Sequence, residues 1–375
     1  MIYLDFNATT PTAGPVVEAM LPFLREHHGN PSSSHALGAI TRQAVERARQ
    51  QVATMLGATP GEIVFTSGGS EANNHVLKGL FSRFREKGAH FIISSVEHPA
   101  VEVPCAFLER AGLSVTRVPV DRFGSVDPDD VRRAVTPLTR LISIMHANNE
   151  VGTIQPISEI SEIARESGVW LHTDAAQTIG KIPAGVNALG VDFLSIAGHK
   201  FHAPPGVGAL YIRAGIEIDS LVHGAGHEKG RRAGTEAVPN IVALGAAAEF
   251  VGSTGDDGRV RSLCGQLHEL LIEGLGDAVV LNGHPENRLP NTLNVAFKGL
   301  IGAEVLARLE NVLASAGAAC HSDRHEPSAV LKAMGVPRDI ALGAVRFSLG
   351  RPTTAGEIDT AAGRIIDTVR SMARS

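Results

Sequence analysis

Short apolar runs alternate with longer amphipathic segments along the first two thirds of this chain. The apolar runs predict buried strands at Glu62–Phe65, Phe91–Ser95, Leu141–Met145, Val169–Thr173, Phe193–Ile196 and Ala209–Ile212. Segments with a helical repeat predict helices at Pro15–His27, His35–Leu56, Ser70–Glu86 and Ile157–Glu166. We expect the loop Asn30–Ser34 to cap the second helix and Gly57 to end it. Repeated strand–helix units predict an α/β fold whose mostly parallel sheet is covered by helices on both faces.

The last third of the chain has a different pattern. A helix of small residues at Val238–Phe250 is followed by the glycine-rich stretch Gly252–Gly258, which is typical of a linker. Beyond it the pattern predicts a smaller α+β unit, with helices at Val260–Gly274, Ala303–Glu310 and Ala355–Ala373 and strands near Ala278–Leu281 and Leu293–Phe297. We therefore expect a large domain at residues 15–255 and a small domain made of residues 1–14 and 256–375.

Composition narrows the class of protein. Hydrophobic residues make up 43% of the 375 positions and charged residues 19%, which is typical of a globular chain. The formal net charge of −5 gives no support for a nucleic-acid partner, and no apolar run reaches the ~18 residues that would span a membrane. The first residues lack the pattern of a signal peptide. Because the three cysteines form neither a disulfide framework nor a metal-binding spacing, we expect a cytoplasmic protein without a metal site.

Lys200 stands at the end of an unusual local pattern. The apolar run Ser195–Ala197 leads into Gly198–Lys200, and the rigid turn Pro204–Gly206 follows. A lysine in a turn is usually exposed, but this one lies between a buried strand and a rigid turn. A buried amine with a lowered pKa can form a Schiff base with an aldehyde, so Lys200 is the first catalytic candidate.

A glycine-rich turn in Thr66–Glu71 joins a predicted strand to a predicted helix. The open backbone N–H groups at such a helix start, together with the hydroxyl of Ser70, suit a phosphate group. A purely structural turn would have the same sequence. The stretch is neither a P-loop nor a dinucleotide-binding fingerprint.

Four polar residues follow three other predicted strands: His98, Asn149, Asp174 and Gln177. Ligands bind at the carboxyl ends of strands in such sheets, so we expect these side chains to lie together. With a pyridine-containing cofactor, Asp174 would keep the ring nitrogen protonated and Gln177 would donate to the ring oxygen. His98 would stack on the ring and shuttle protons. A turn cap for Asp174 and a satisfied loop histidine for His98 are the structural alternatives.

Two further candidates lie in the last third of the chain. Cys320 stands in a loop of small residues, and basic side chains at 321–325 would favour its thiolate, although a buried, inert thiol is the alternative. Arg346 lies in the apolar segment Val345–Leu349. A buried arginine needs an anion, which is either a substrate carboxylate or an internal partner.

Eight motifs occur in one order along nearly the whole chain. They are Asp5–Pro11, Gly29–Ser33, Thr66–Asn74, Asn148–Gly152, His172–Gln177, Gly198–Lys200, Gly230–Thr235 and Arg346–Arg351. In this order they resemble the cysteine desulfurases of the nitrogen-fixation and iron–sulfur-assembly type, within the class V aminotransferase family. The resemblance implies the type I fold of transferases that use pyridoxal 5′-phosphate (PLP). That fold has a seven-stranded, mostly parallel sheet in a large domain and a smaller α+β C-terminal domain carrying the cysteine loop.

The resemblance also implies which residues bind PLP. They are Gly69, Ser70, His98, Asn149, Asp174, Gln177, His199, Lys200 and Thr235. Lys200 would carry the cofactor, and Gly69, Ser70 and His199 would hold its phosphate. Thr235 would reach the phosphate of a neighbouring subunit, which implies a homodimer.

By the same resemblance, the reaction converts L-cysteine to L-alanine. Arg346 and Asn149 would hold the substrate, while Lys200, His98 and Cys320 would be catalytic. Cys320 would become a persulfide that supplies a sulfur acceptor, such as an iron–sulfur scaffold protein. The loop Ala316–Asp323 looks closest to that of selenocysteine lyases, so release of selenide from L-selenocysteine is the alternative reaction. An aminotransferase and a non-catalytic scaffold are more distant alternatives.

Two departures from the family pattern affect the expected site. Ala197 stands where many of these enzymes have a phosphate-binding serine, and His223–His227 replaces the usual Gly-Gly-Gly-Gln. The first puts one phosphate hydrogen bond in question, and the second alters the wall of the site on the dimer side.

Overall fold

The computed structural model describes residues 1–85, 88–253, 258–316 and 326–374. Along these residues the strands are β1 (Ile2–Tyr3), β2 (Ile63–Thr66), β3 (His90–Ser94), β4 (Ser114–Val118), β5 (Thr139–Ser143), β6 (Trp170–Asp174), β7 (Phe193–Ala197), β8 (Gly208–Ile212), β9 (Val279–Asn282), β10 (Thr292–Phe297), β11 (Val312–Leu313), β12 (Ser315–Ala316) and β13 (Ala344–Ser348). The helices are α1 (Gly14–Arg25), α2 (Ala36–Leu56), α3 (Gly69–Phe84), α4 (Pro99–Glu109), α5 (Pro128–Ala134), α6 (Ile157–Ser167), α7 (Val186–Leu189), α8 (Val238–Ser253), α9 (Arg259–Leu275), α10 (Gly302–Arg308), α11 (Ala329–Ala333), α12 (Arg338–Leu342) and α13 (Ala355–Ala373).

A seven-stranded sheet in the order β2-β8-β7-β6-β5-β3-β4 forms the centre of the large unit. Only β8 runs antiparallel to its neighbours, so the predicted mostly parallel sheet is confirmed. Every residue of β2, β3, β7 and β8 is buried. The reason is that helices cover both faces: α2, α6 and α8 contribute to one apolar cluster, and α3 and α4 to the other.

The start of α2 differs from the expected cap. The imidazole Nδ1 of His35 accepts the N–H of Gly38 at 3.3 Å, because His35 directly precedes the helix in an extended conformation. The side chain of Asn30 instead accepts the N–H of Ser32 at 2.9 Å, within its own turn. Gly57 ends the helix as expected, with a left-handed φ of 66°.

A four-stranded antiparallel sheet, in the order β12-β13-β10-β9, forms the small unit. Helices α9 and α13 cover it, and Ile2 and Leu4 from the start of the chain share their apolar core. The N-terminal segment therefore packs with the C-terminal third, and β1 pairs with β11. The domain limits at 14 and 255 stay a prediction, although α8 continues to Ser253, inside the stretch expected to be a linker. In the part of the chain described, no helix combines the length and apolar character needed to cross a membrane.

Candidate active site

A cavity of about 350 Å³ lies at the carboxyl ends of the parallel strands. Nine of the predicted residues line it: Gly69, Ser70, His98, Asn149, Asp174, Gln177, His199, Lys200 and Arg346. They come from five places in the large unit and from β13 of the small unit. The predicted convergence of these side chains is therefore seen, while the chemical role of each stays a prediction.

The other two predicted residues are not part of this lining. Thr235 is exposed on the segment that precedes α8. Cys320 belongs to the stretch 317–325, which is outside the described residues. Among the residues that are described, no group of three or more His, Cys, Asp and Glu side chains could hold a metal ion.

Lys200 is held in a tight turn after a buried strand. All residues of β7 are buried, and a short 3₁₀ turn at Gly198–Lys200 follows. The Lys200 Nζ donates to the carbonyl oxygens of Asn7, at 2.7 Å, and Ala8, at 2.8 Å. Burial, helped by the positive charge of Arg346, lowers the pKa of Lys200 to about 8. A sizeable fraction of this amine is therefore neutral near pH 8, as a nucleophile or base requires.

Asp174 is a buried carboxylate with a defined orientation. Its Oδ2 accepts from the Asn73 side-chain amide at 2.6 Å, and its Oδ1 accepts from the N–H of Ala176 at 2.9 Å. Asn73 is a site residue that sequence reasoning missed. It lies on α3 three residues after Ser70, so the helical repeat was the signal that could have found it. The Asn73 Oδ1 is buried and has no hydrogen-bond partner among the described residues.

His98 directly precedes α4 and caps its first turn. Its Nδ1 accepts the N–H of Ala100 at 3.1 Å, which places the ring proton of the neutral form on Nε2. Burial lowers the pKa of His98, while the charge of Asp174 acts in the opposite direction. The imidazole is therefore mostly neutral at pH 7.

The start of α3 forms the side of the cavity suited to an anion. Gly68 precedes the helix with a φ of 148°, a conformation that favours glycine, and no side chain caps the first N–H groups. Gly69 and Ser70 line the cavity at this point. A Cβ on Gly69 would lie 3.3 Å from the Cβ of Ala197, so the side chain at position 197 borders the same part of the cavity.

Arg346 contacts two groups through its two terminal nitrogens. Its Nη2 forms a 2.7 Å ion pair with Asp5, and its Nη1 donates to the carbonyl oxygen of Asn149 at 3.0 Å. The internal partner foreseen as one alternative is therefore present. The Nε is buried without a partner in the described part of the chain.

Asn7 lines the cavity and contacts residues of the large unit. The sequence analysis assigned it no role. Its carbonyl oxygen accepts from Lys200 and, at 2.9 Å, from the Gln177 amide. Its side chain donates to the carbonyl oxygen of Asn149 at 3.2 Å and accepts from Lys181 at 3.1 Å. Burial lowers the pKa of Lys181 to about 7. Asn7 lies within a quoted motif, but only the fold reveals these partners.

The fold and the cavity define a class of enzyme. In it, a partly buried lysine, a buried aspartate and the start of a helix surround one cavity of a two-unit α/β protein. The chain belongs to the class V aminotransferase family, a PLP-dependent family, because the model of that family, described as "Aminotransferase class-V", matches residues 2–360.

Relatives within this family carry a narrower name. The chain is 49% identical to the cysteine desulfurase IscS of Methanosarcina thermophila, over 96% of this chain and 89% of that protein. It is 42% identical to the human cysteine desulfurase, over 99% of this chain and 82% of that protein. Among solved structures, a NifS-like protein superposes with a TM-score of 0.91 at 38% identity, covering 99% of each chain. A structure described as SspA in complex with cysteine has a TM-score of 0.83 at 37% identity, covering 93% of this chain and 99% of that one.

Proposed function

We propose that this chain is a PLP-dependent cysteine desulfurase that converts L-cysteine to L-alanine and transfers the sulfur to Cys320. The arrangement of Lys200, Asp174 and Arg346 around one cavity carries the proposal. Relatives between 42% and 49% identical over nearly the whole chain are named cysteine desulfurase, which supports this reaction over an aminotransferase or a scaffold.

The donor set of the cavity fits PLP. The uncapped start of α3 suits a phosphate, the Asp174 carboxylate suits a protonated ring nitrogen, and the Lys200 amine suits an aldehyde. A volume of about 350 Å³ falls within the usual range of small-ligand pockets. The unpartnered Asn73 Oδ1 is a further open polar group in this cavity. Gly69, Ser70 and His199 would hold the phosphate, with Ala197 supplying no hydroxyl there.

Each residue then has a separate task. PLP supplies, when bound, an electron-withdrawing ring that stabilises negative charge at the substrate Cα. Asp174 would hold the ring nitrogen in its protonated form, and His98 would pack against the ring and shuttle protons. Arg346 and Asn149 hold the substrate carboxylate and so orient the Cα–H bond. The neutral Lys200 amine takes the Cα proton.

Sulfur transfer needs a second nucleophile, and we assign it to Cys320. The thiolate Sγ attacks the sulfur of L-cysteine, a sulfur–sulfur bond forms and the substrate carbon–sulfur bond breaks. The electron pair of that bond stays with the substrate carbon, which takes a proton and ends as the methyl group of alanine. Each of the two sulfurs is oxidised by one electron and the carbon is reduced by two, so no external oxidant is required.

The remaining assignments concern partners and location. We propose a homodimer in which Thr235 contacts the phosphate bound by the neighbouring subunit, since Thr235 is exposed and lies away from the cavity of its own chain. A sulfur-acceptor protein would then remove the persulfide. A cytoplasmic location agrees with Cys105 and Cys264, which are free thiols.

The assay that tests this function measures alanine, pyruvate and sulfide from L-cysteine, L-selenocysteine and a panel of other amino acids, with and without a keto acid. A desulfurase forms alanine from L-cysteine without a keto acid. Strict dependence on a keto acid would identify an aminotransferase. Turnover of L-selenocysteine alone would identify a selenocysteine lyase.

Arg346→Lys is expected to raise the KM for L-cysteine about tenfold to a hundredfold with a smaller change in kcat. Lysine keeps the charge but loses the planar set of N–H donors that matches a carboxylate. Steady-state kinetics of alanine formation would measure both constants. Arg364→Lys, an exposed arginine on α13, is the matched control. An unchanged KM in Arg346→Lys would remove Arg346 from substrate binding.

A further inference from the structure

Glu97 is a buried carboxyl group next to the cavity residue His98, and it has no part in the proposed reaction. It directly precedes His98, and its Oε1 accepts the N–H of Met145 at 3.0 Å. His98 and Met145 both line the cavity. Glu97 thus connects the turn that carries His98 to Met145, just beyond the neighbouring strand β5.

Both hydrogen bonds to the carboxyl group reach the same oxygen. Ser94 Oγ donates to Oε1 at 2.5 Å, alongside the N–H of Met145. The second oxygen, Oε2, is buried and has no partner among the described residues. If the carboxyl group were ionised, the negative charge on Oε2 would be buried without a hydrogen-bond donor. A proton on Oε2 removes that charge.

The surroundings of Glu97 also oppose a negative charge. Asp174, at the end of β6, is the titratable group whose charge acts on Glu97 most strongly. Cys105 on α4 also interacts with Glu97, and it stays neutral because burial raises its pKa to about 12. His98, the next residue, has a pKa lowered by burial. Burial is the main reason why the pKa of Glu97 rises to about 8, and the bonds from Ser94 and Met145 only partly oppose it.

We propose that Glu97 is a protonated positioning residue that ties the His98 turn to Met145, just beyond the end of β5. The neutral carboxyl group accepts the two bonds from Ser94 and Met145 without adding a second negative charge beside Asp174. The proposal extends the function proposed above, because it takes this cavity to be the PLP site.

The first experiment uses the protein without PLP and compares wild type with Glu97→Gln. A carboxyl group whose pKa is higher in the folded than in the unfolded protein raises the free energy of unfolding at low pH. This contribution is complete below the unfolded pKa, near 4.5, and is lost as the pH rises through about 8. Glutamine keeps the shape and the Oε1 acceptor but cannot ionise. The unfolding constant of wild type, relative to Glu97→Gln, should therefore rise up to about tenfold for each pH unit in this range.

Chemical denaturation at several pH values between 4.5 and 9 measures that ratio. Glu159→Gln, an exposed position on α6, is the control and should give a flat ratio. A flat ratio for Glu97→Gln would overturn the proposal. A wild type that gains stability over Glu97→Gln as the pH rises would also overturn it, since the ionised form would then be the stabilised one.

The second experiment measures the dissociation constant of PLP and the KM and kcat for L-cysteine. Glu97→Gln should bind PLP within about threefold of wild type, whereas Glu97→Ala, which leaves Ser94 and Met145 without their acceptor, should bind at least about tenfold more weakly. A folded Glu97→Gln that binds PLP as weakly as Glu97→Ala would overturn the proposal. If the ratio of unfolding constants rises with pH but the protein has no desulfurase activity, the proposed function is refuted. The proposal of a protonated Glu97 would still stand.

Discussion

Lys200→Ala is expected to lower the rate of alanine formation from L-cysteine by at least about a thousandfold. The Lys200 amine is the only Nζ group of the described chain that lines the proposed PLP cavity. Its burial and its two carbonyl acceptors hold it at the end of β7 with a lowered pKa. Alanine cannot form the covalent link to the cofactor or take the Cα proton. Alanine quantification and the absorbance of bound PLP would report the two losses separately.

Lys298→Ala is the matched control for this substitution. Lys298 is exposed in the small unit and follows β10, so its loss should leave both readouts within about twofold of wild type. A Lys200→Ala protein that is folded and keeps a tenth or more of the activity would contradict the role of Lys200.

Cys320→Ser is expected to lower sulfide release from L-cysteine by at least about a hundredfold while leaving PLP absorbance unchanged. A hydroxyl is a poor nucleophile toward sulfur, and the two other thiols cannot replace Cys320. Burial raises the pKa of Cys105 to about 12 and that of Cys264 to about 11, so neither forms a thiolate at neutral pH. Sulfide and alanine would be measured together with a thiol reductant present.

Cys264→Ala provides the control, because Cys264 is buried on α9 in the core of the small unit. It should retain desulfurase activity even if it loses some stability. Full cysteine turnover by Cys320→Ser would exclude Cys320 as the sulfur acceptor. If that variant loses L-cysteine turnover but keeps L-selenocysteine turnover, then the thiol is required for sulfur alone.

Local patterns predicted most of the sheet and the cavity residues at its edge. The apolar run before Lys200 is β7, and the helix expected at Ala355–Ala373 has those limits in the structure. Asp174 is the last residue of β6, one position beyond the end predicted for that strand, and strand ends and helix periods are set by neighbouring residues. The residues that line the cavity could therefore be predicted from the sequence.

Contacts between distant segments were not predictable from such patterns. Asn7 binds Lys200, Gln177 and Asn149 from far along the chain, and Asp5 pairs with Arg346 from the other end of it. These partners are set by the packing of the N-terminal segment with the small unit. Strand β1 was missed for the same reason, since two residues carry no period and depend on β11 for pairing.

One single-turnover measurement tests the central proposal that this protein moves sulfur from L-cysteine to its own thiol. PLP-loaded protein, freed of reductant, is mixed with one equivalent of L-cysteine, and alanine and the mass of each cysteine-containing peptide are determined. We expect alanine and a peptide with one added sulfur atom on Cys320 in equal amounts, with the Cys105 and Cys264 peptides unchanged. Alanine formed without any sulfur on Cys320 would contradict the proposal.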